Sequence, residues 1–415
     1  MAKKLTLYIM ICLIAGIIVG AVLHNSLADK VLLKEIAGYF SIVTDVFLRL
    51  IKMIIAPLVF STLVAGIVHM GDTKSLGRIG LRTMIWFVSA TIVSLTLGLI
   101  LVNVLGPGEG GVPIPLPPTD AKADIEHGAI NLKNFITHIF PKSIFEAMST
   151  NEILQIVVFS LFFGVAMTAI GEKAAPITRG VDALVEVMLK ITNYVMQTAP
   201  IAVFAAMASA VTVNGLTILL TFGKFIGSFY LGLAMLWGAL ALAGFIVIGP
   251  RMGTLIGHIR EPILLAFSTA SSEAAYPRTL EALERFGVPP RIASFVLPLG
   301  YSFNLDGSMM YMTFATLFIA QLYGIHMDWS SQILMVLILM VTSKGIAGVP
   351  RASLVVIAGV MPMFKIPEAG IVLIFAVDQF LDMGRSATNV VGNAVATAAV
   401  AKWEGQLANE QPASG

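Results

Sequence analysis

Residues 331–364 read S-Q-I-L-M-V-L-I-L-M-V, then T-S-K-G-I-A-G-V-P-R-A-S, then L-V-V-I-A-G-V-M-P-M-F, so a polar, glycine-containing centre separates two apolar arms. Residues 261–286 repeat the arrangement, with S-T-A-S-S-E at 268–273 as the centre. Each arm is about half as long as the roughly 20 residues that a membrane-spanning helix needs. Non-helical backbone is tolerated at membrane depth only where it is buried in protein or lines a water-filled cavity. The two segments therefore predict re-entrant helical hairpins.

The remaining apolar sequence contains runs that are long enough to cross a bilayer as helices. We predict eight spans, near 6–24, 40–70, 84–105, 150–171, 181–212, 217–249, 292–323 and 369–400. Lysine and arginine in short loops mark the cytoplasmic side, and in this chain they fall in alternate loops. With an even number of spans, we expect both termini to be cytoplasmic. The proline- and glycine-rich stretch at 106–126 is then expected to be extracytoplasmic.

This topology makes the two hairpins enter the membrane from opposite sides, the first from the cytoplasm and the second from outside. Such a pair of broken segments is typical of secondary transporters with inverted repeats, whose binding site lies near the middle of the membrane. We therefore expect the polar residues of these segments to converge there.

The composition agrees with an all-α polytopic membrane protein in contact with the lipid bilayer. Of the 415 residues, 57% are apolar and 12% are charged, against roughly 45–50% and about 25% in soluble domains. A net charge of +2 gives no basic surplus for nucleic acid, and one cysteine excludes a disulfide framework. The six histidines lack metal-ligand spacing, and no P-loop or nucleophile motif occurs. We therefore expect no enzyme activity, no cofactor and no metal site.

The last predicted span carries six polar residues. Because an α-helix turns by 100° per residue, these residues share about 100° of arc. They are Asp378, Asp382, Arg385, Ser386, Asn389 and Asn393. An ordinary amphipathic helix with a solvated face is the alternative, but most of the remaining residues of the span are apolar. Ionisable groups inside a bilayer are costly and mark functional sites, so this face is a candidate binding site.

The seventh span is interrupted by N-L-D-G-S at 304–308, which brings Asn304, Asp306 and Ser308 together around a glycine. A broken helix exposes carbonyl groups and a helix terminus, which are sites for a cation and an anion respectively. A simple kink with Asp306 hydrogen-bonded locally is the alternative. In the first hairpin, Ser271 and Ser272 could offer hydroxyl and backbone N–H groups to a carboxylate, although serines are also common in turns for conformational reasons.

Four strings of this sequence resemble the glutamate transporter family, the dicarboxylate/amino acid:cation symporters. They are S-T-A-S-S-E-A-A-Y-P (268–277), N-L-D-G-S (304–308), G-I-A-G-V-P (345–350) and D-Q-F-L-D-M-G-R-S-A-T-N-V-V-G-N (378–393). Their order and spacing hold along nearly the whole chain, and the similarity is nearest to bacterial proton/glutamate symport proteins. The resemblance implies a homotrimer in the bacterial inner membrane that works as an elevator.

The same resemblance implies how the chain divides between a fixed scaffold and a moving transport domain. The scaffold comprises 1–77 and 150–215. The transport domain comprises 78–105 and 216–404, with hairpins at 256–288 and 331–364. Residues 106–149 form the extracytoplasmic loop and the start of the fourth helix, and 405–415 form a polar tail.

The resemblance also implies roles for individual residues in an acidic amino-acid site. Arg385 would bind the side-chain carboxylate of glutamate or aspartate through a bidentate fork. Asp382 would receive the α-amino group, which disfavours the alternative of a C4-dicarboxylate carrier, and Asn389 would bind the α-carboxylate. Further contacts would come from Ser308, Ser386, Ser271, Ser272, Gly348 and Val349.

Departures from the sodium-dependent pattern bear on the coupling ion. Asn393 stands where those relatives have an aspartate, and Phe87, Ala90 and Thr91 stand where they have tyrosine, threonine and serine. Hard cations need oxygen ligands, so we expect proton coupling. Sodium coupling is the alternative, because Asn304 and Asp306 remain.

Glu273 and Asp378 are the candidate proton carriers. Arg351 stands at a position that is usually glycine, and it is expected either to pair with Glu273 or to extend into water. A substrate-gated anion channel that uses the same acidic-ligand site is the alternative from another class of protein.

Overall fold

The computed structural model describes residues 2–27, 29–70, 73–109, 137, 139–215, 222–343, 352–375 and 377–408. Within these ranges the secondary structure is helical and no strand occurs. The all-α prediction is confirmed at this level.

Sixteen α-helices occur in the described part of the chain, which we number in order. The first half contains α1 (Ala2–Ser26), α2 (Lys30–Met70), α3 (Thr73–Leu105), α4 (Ile144–Ser149), α5 (Ile153–Ile170), α6 (Ala175–Met196) and α7 (Ala199–Asn214). The second half contains α8 (Gly223–Ile248), α9 (Arg251–Thr269), α10 (Tyr276–Phe286), α11 (Pro290–Phe303), α12 (Asp306–Leu322), α13 (Trp329–Thr342), α14 (Ala352–Val360), α15 (Ile371–Phe375) and α16 (Asp378–Trp403).

Several of these helices are long and apolar enough to cross a membrane. Five stretches meet that requirement by length and composition: Leu7–Ser26, Lys30–Val68, Gly77–Leu105, Ile153–Met196 and Gly223–Ile248. The prediction of a polytopic membrane protein is thereby supported. The count of eight spans requires in addition that the Ile153–Met196 stretch crosses twice, as α5 and α6. It also requires that two polar segments cross, namely the α11–α12 pair, which is broken at Asn304–Leu305, and α16, which contains three charged residues in its first eight.

Some predicted boundaries differ from the observed helices. The span predicted at 181–212 is divided between α6 and α7 at 197–198, because Pro200 in the first turn of α7 has no N–H to continue the ladder. The helix predicted to begin near 369 begins at Asp378, after the short α15. The first arm of the first hairpin begins at Arg251 rather than 256.

The N-terminal helices pack closely through small residues. A Cβ atom at Gly16 would lie 2.9 Å from Met207 Cβ of α7, and one at Gly20 would lie 2.8 Å from Val211 Cβ of the same helix. Membrane helices lack a hydrophobic driving force between them and associate where small residues permit close backbone contact. This glycine pair, four residues apart, therefore joins α1 to α7, while α2 packs on α5, α6 and α7.

The helix α16 is buried along most of its length and packs against α8, α9, α11 and α12. Every residue from Met383 to Ala401 is buried. The two arms of the first hairpin, α9 and α10, pack on each other, as do α13 and α14. The polar face of α16 therefore lies inside protein and not against lipid.

An ionic contact connects the helices α3 and α16. The Glu404 carboxylate, whose side chain is fully buried, accepts from Arg78 Nη2 at 2.7 Å and lies 2.8 Å from Arg82 Nη1. Next to it, the Trp86 and Trp403 rings meet edge to face with centroids 5.5 Å apart. The start of α3 is thereby fixed to the end of α16.

Replacing Glu404 with glutamine should lower the thermal stability of the protein. The carboxamide keeps the shape but leaves Arg78 and Arg82 without their anion. Because both arginines are partly exposed, we expect a loss of about 1 kcal/mol and a fall in the unfolding midpoint of roughly 1–3 °C. Thermal unfolding in detergent, followed by tryptophan fluorescence, measures this change. Glu172→Gln, at an exposed carboxylate, is the control, and equal midpoints for the two variants would contradict the role of the ion pair.

Candidate functional site

The break between α11 and α12 places the N-terminus of α12 against the middle of α16. The first backbone N–H groups of a helix have no intrahelical partner. Here Gly307 and Ser308 donate theirs to Asn389 Oδ1, at 2.9 and 3.3 Å, and Asn389 Nδ2 donates to Ser308 Oγ at 3.2 Å. Asn389 thus caps α12 from a different helix. A Cβ on Gly307 would collide with the Arg385 backbone, so the close approach requires glycine.

Arg385 is the charged centre of the site, with 2% of its side chain exposed. Its Nε donates to Asp382 Oδ1 at 2.7 Å, and its Nη2 lies 3.3 Å from Asp378 Oδ1. The guanidinium also stacks on the Tyr311 ring at 4.2 Å, and the Tyr311 hydroxyl donates to Asp378 Oδ1 at 2.8 Å. Arg385 Nη1 is buried and has no hydrogen-bond partner among the described residues. This donor is therefore available to a ligand.

The two aspartates beside Arg385 differ in their surroundings. Asp378 has 2% of its side chain exposed and is held by Arg385 and Tyr311. Asp382 has 27% of its side chain exposed, and one of its oxygens also accepts from Ser386 Oγ at 3.3 Å. Asp382 is thus the acid that a ligand from outside can reach. A carboxylate on the ligand could replace part of its contact with Arg385, while a cationic group could bind Asp382 itself.

A second polar cluster lies beside α11, where Asn304, Asp306 and Asn393 are all fully or almost fully buried. Asn304 Nδ2 donates to Asp306 Oδ2 at 3.1 Å and to Asn393 Oδ1 at 3.2 Å. Asp306 Oδ1 also accepts from Ser94 Oγ of α3 at 3.1 Å. Within the described part of the chain, Asn304 Oδ1 and Asn393 Nδ2 have no partner.

This second cluster has few oxygen ligands for a hard cation such as sodium. Asp306, Asn304 and Ser94 supply oxygen atoms, whereas a hard cation prefers six or more oxygen ligands. Of the three α3 residues that sequence analysis compared with sodium ligands, Phe87 and Ala90 are buried and offer no side-chain oxygen. The third, Thr91, is buried and offers one hydroxyl.

The tip of the first hairpin is held by its own hydrogen bonds. Ala270 adopts the left-handed conformation with φ of 50°, and Ser271 Oγ accepts from the Ala274 N–H at 3.2 Å. The Ser272 carbonyl accepts from the Tyr301 hydroxyl at 3.0 Å. As far as the structure describes the chain, neither serine hydrogen-bonds to α16. The predicted contacts of Ser271 and Ser272 with the substrate stay a prediction.

Glu273 faces a different region, a small cavity between the hairpin tip and the N-terminal helices. Ile55 and Val59 of α2 and Ile153 of α5 form one wall of this cavity. Tyr276, Pro298 and Tyr301 form the other wall. The carboxyl group therefore lies where α10 and α11 meet α2 and α5.

Comparison with known proteins assigns this arrangement to a family. Residues 5–403 match the model of the sodium:dicarboxylate symporter family. The chain belongs to that family.

Individual relatives of this symporter match along most of their length. The proton/sodium-glutamate symport protein of Bacillus caldotenax is 41% identical over 411 residues, covering 97% of this chain and 95% of the relative. The proton/glutamate-aspartate symporter of Escherichia coli (strain K12) is 40% identical over 405 residues, covering 95% and 92%. The C4-dicarboxylate transport protein of Agrobacterium fabrum is 37% identical over 422 residues, covering 99% and 90%. The predicted family is confirmed.

Three residues that sequence analysis assigned to the symporter's second hairpin lie outside the described residues. They are Gly348, Val349 and Arg351. The pairing of Arg351 with Glu273 therefore stays a prediction.

Sequence reasoning missed two residues of the symporter's polar network. Tyr311 lies three residues after Ser308, one turn along α12, and its ring and hydroxyl contact both Arg385 and Asp378. Ser94 lies one turn after Ala90 on α3 and contacts Asp306. In both cases the signal was a polar side chain at helical spacing from a residue already chosen.

Replacing Gly392 with alanine should disrupt the second cluster. A Cβ at this position would collide with Asp306 Oδ2, so the carboxylate must move away from Asn304. Alanine in a helix is otherwise favoured over glycine by about 1 kcal/mol, which makes a loss informative. We expect substrate uptake to fall at least about tenfold and the unfolding midpoint to decrease. Gly257→Ala on α9, where the added Cβ meets open space, is the control, and equal activity of both variants would contradict the clash.

Proposed function

We propose that this chain imports glutamate, aspartate or both by proton symport across a bacterial inner membrane. The observation that carries the proposal is the buried Arg385, which has an unpartnered Nη1 and lies beside the more exposed Asp382. A guanidinium binds a carboxylate and a carboxylate binds an ammonium group, and an acidic amino acid presents both groups. The printed names of the relatives, which include glutamate and glutamate-aspartate symporters, support this reading.

A C4-dicarboxylate is the second candidate substrate, supported by the Agrobacterium fabrum relative. Such a substrate has no ammonium group and would leave Asp382 facing a carboxylate. The exposed fraction of Asp382, 27% of its side chain, therefore favours the amino acid. In the proposal, Arg385 binds the side-chain carboxylate, Asp382 the amino group, and Asn389 with Ser308 and Ser386 the α-carboxylate.

Substitutions of Arg385 and Asp382 should separate these two substrates. Arg385→Ala removes one partner of a buried ion pair, which costs roughly 3–5 kcal/mol, so affinity for acidic substrates should fall at least about 100-fold. Asp382→Asn should weaken glutamate and aspartate binding by at least about tenfold while sparing succinate. Calorimetry on purified protein measures all three ligands. Arg385→Lys, which keeps the charge without the fork, should give an intermediate loss.

Retention of near-normal aspartate affinity in Arg385→Ala would contradict the proposal. A parallel loss of succinate and aspartate binding in Asp382→Asn would favour the dicarboxylate instead.

The proton is the proposed coupling ion because the second cluster is poor in anionic ligands. Asp306 is the one carboxylate among the described residues of that cluster, since position 393 carries an amide. Phe87 and Ala90 add no oxygen from α3. A residual sodium site at Asn304 and Asp306 is the alternative, and the name of the Bacillus caldotenax relative contains both ions.

Glu273 is the stronger of the two candidate proton carriers. Asp378 is engaged by a guanidinium and a tyrosine hydroxyl, and both contacts suit its ionised form. Glu273 lines a cavity with the apolar side chains of Ile55, Val59 and Ile153 and with two tyrosines. Among the described residues, its charged neighbour is Lys52 of α2, which forms no ion pair with it. An unpaired ionised carboxylate is expensive to bury among apolar groups. A proton on Glu273 would thus allow the hairpin tip to remain against α2 and α5.

Replacing Glu273 with glutamine should uncouple transport from the proton gradient. Glutamine resembles the protonated acid permanently, so exchange of external for internal substrate should persist while accumulation driven by an imposed pH gradient is lost. Proteoliposomes with separately imposed proton and sodium gradients measure both activities. Glu281→Gln is the control on the same hairpin, because Glu281 pairs with Arg278 at 2.7 Å and lies outside the cavity.

Accumulation by Glu273→Gln at the wild-type level would exclude this carrier in favour of Asp378. Uptake by the wild-type protein that stops without sodium and continues without a proton gradient would reverse the choice of ion.

For the architecture we propose eight spans, two re-entrant hairpins and an elevator motion within a homotrimer, with both termini in the cytoplasm. The packing supports a division into two groups. In the first group, α1 packs on α7, and α2 packs on α5, α6 and α7. In the second group, which contains the candidate site, α3 packs on α12 and α16. The groups meet where α2 contacts α11 and the hairpin tip, which is the surface along which the transport domain would move.

A further inference from the structure

The helix α8 contacts α16 on the side opposite to the candidate binding residues. The contacts fall at Phe380, Gly384 and Thr388, which recur every four residues and form one stripe along α16. At 100° per residue this stripe lies about 130° around the helix from the mean direction of Asp382, Arg385 and Asn389. Contacts along the stripe therefore control which way the binding residues face.

Two of these contacts are specific hydrogen bonds. The Tyr230 hydroxyl donates to the Phe380 carbonyl at 2.6 Å, and Trp237 Nε1 donates to Thr388 Oγ1 at 2.8 Å. Thr388 Oγ1 in turn donates to the Gly384 carbonyl at 2.9 Å. The anchored positions, 380 and 388, are eight residues apart, or about 12 Å along the helix. Asp382 and Arg385 lie between them.

The third contact is steric. A Cβ atom at Gly384 would lie 2.7 Å from Leu233 Cδ1 and 3.0 Å from the Tyr230 ring. The glycine therefore lets α8 approach α16 directly behind Arg385. Tyr230, Leu233 and Trp237 are spaced at three and four residues, so they form one face of α8.

We infer that Tyr230 and Trp237 are positioning residues that set the rotation of α16 and so the substrate affinity and selectivity of the site. Apolar packing between membrane helices fixes their separation but leaves rotation weakly determined, whereas polar contacts fix register. Hydrogen bonds at two heights on one side of α16 hold it in a single rotation. The inference rests on the proposed function, since it concerns the binding of the same acidic substrate.

The geometry of α16 shows how sensitive substrate binding should be to rotation of this helix. A guanidinium about 8 Å from the helix axis moves by roughly 2 Å when the helix rotates by about 15°. Binding groups must be held within about 0.5 Å of their productive positions. Loss of the two anchors should therefore weaken aspartate, which needs Arg385 and Asp382 together, more than succinate, which needs only Arg385.

The test uses the double variant Tyr230→Phe/Trp237→Phe, which removes both donors while keeping aromatic rings. Aspartate and succinate dissociation constants are measured by calorimetry on the full-length protein in detergent, with unfolding midpoints in parallel. We expect the aspartate dissociation constant to rise about tenfold. The ratio of the aspartate to the succinate dissociation constant should also rise. The control is Tyr39→Phe/Trp329→Phe, which makes the same two substitutions at exposed side chains of α2 and α13.

Substitutions of Thr388 test the same contact from the other side. Thr388→Val keeps the shape but removes the acceptor for Trp237, while Thr388→Ser keeps the hydroxyl. We expect weaker aspartate binding in the valine variant and rescue in the serine variant. When Thr388→Val is combined with Trp237→Phe, it should weaken aspartate binding little further, because both substitutions remove the same hydrogen bond.

Unchanged dissociation constants in Tyr230→Phe/Trp237→Phe, with only a lower unfolding midpoint, would overturn the inference and leave these residues a purely structural role. Equal losses for aspartate and succinate would also overturn it. Failure of the proposed function is distinguishable, because the wild-type protein would then bind no acidic amino acid.

Discussion

The burial of the Arg385 guanidinium is the constraint on which the rest of the structure depends. A cation that is removed from water must be paired and hydrogen-bonded, or its desolvation would prevent folding. Asp378, Asp382 and the Tyr311 ring provide that compensation. Two of these partners are on the same helix, at spacings that place them on the same face as Arg385. The third comes from α12, so α12 has to pack directly against α16. The charged centre thus dictates both the sequence pattern of the last helix and the identity of its main neighbour.

The break between α11 and α12 is the second consequence of that contact. An unbroken helix would have no free N–H groups at this depth, whereas the break exposes those of Gly307 and Ser308, and Asn389 satisfies them. Glycine is required on both sides of the crossing, because Cβ atoms at 307 and 392 would collide with Arg385 and Asp306 respectively. The same approach brings Asn304 and Asp306 to Asn393. The candidate binding residues and the second polar cluster therefore lie along the same crossing of α12 and α16, and displacement of either helix would alter both.

Sequence alone predicted the elements of this network better than the contacts within it. The spacing of Asp378, Asp382 and Arg385 predicted that they share one face, because residues three and four apart lie on the same side of a helix. The interruption at Asn304–Leu305 was also predicted, since N-L-D-G-S is polar within an apolar run. Ser94 and Tyr311 were missed because helical spacing shows only which face of a helix they share, whereas their roles depend on which helices become neighbours. For the same reason the pairing of Glu404 with Arg78, 326 residues apart in the chain, had no sequence signal. The hairpin serines were predicted to face the substrate, yet in this conformation their hydrogen bonds stay within the tip or go to Tyr301.

Charge explains why such a site suits a symporter. Arg385 with Asp378 and Asp382 carries a formal charge of −1, and an acidic amino acid with two carboxylates and one ammonium adds another −1. Asp306 lies in the adjoining cluster and is itself fully buried. The repulsion between negative charges is strong where the dielectric constant is low, so substrate binding without a compensating cation would be unfavourable. A proton or a cation taken up with the substrate removes that penalty. In the proposed function, the proton and the substrate stabilise each other's binding electrostatically, and by linkage each raises the affinity for the other by the same factor.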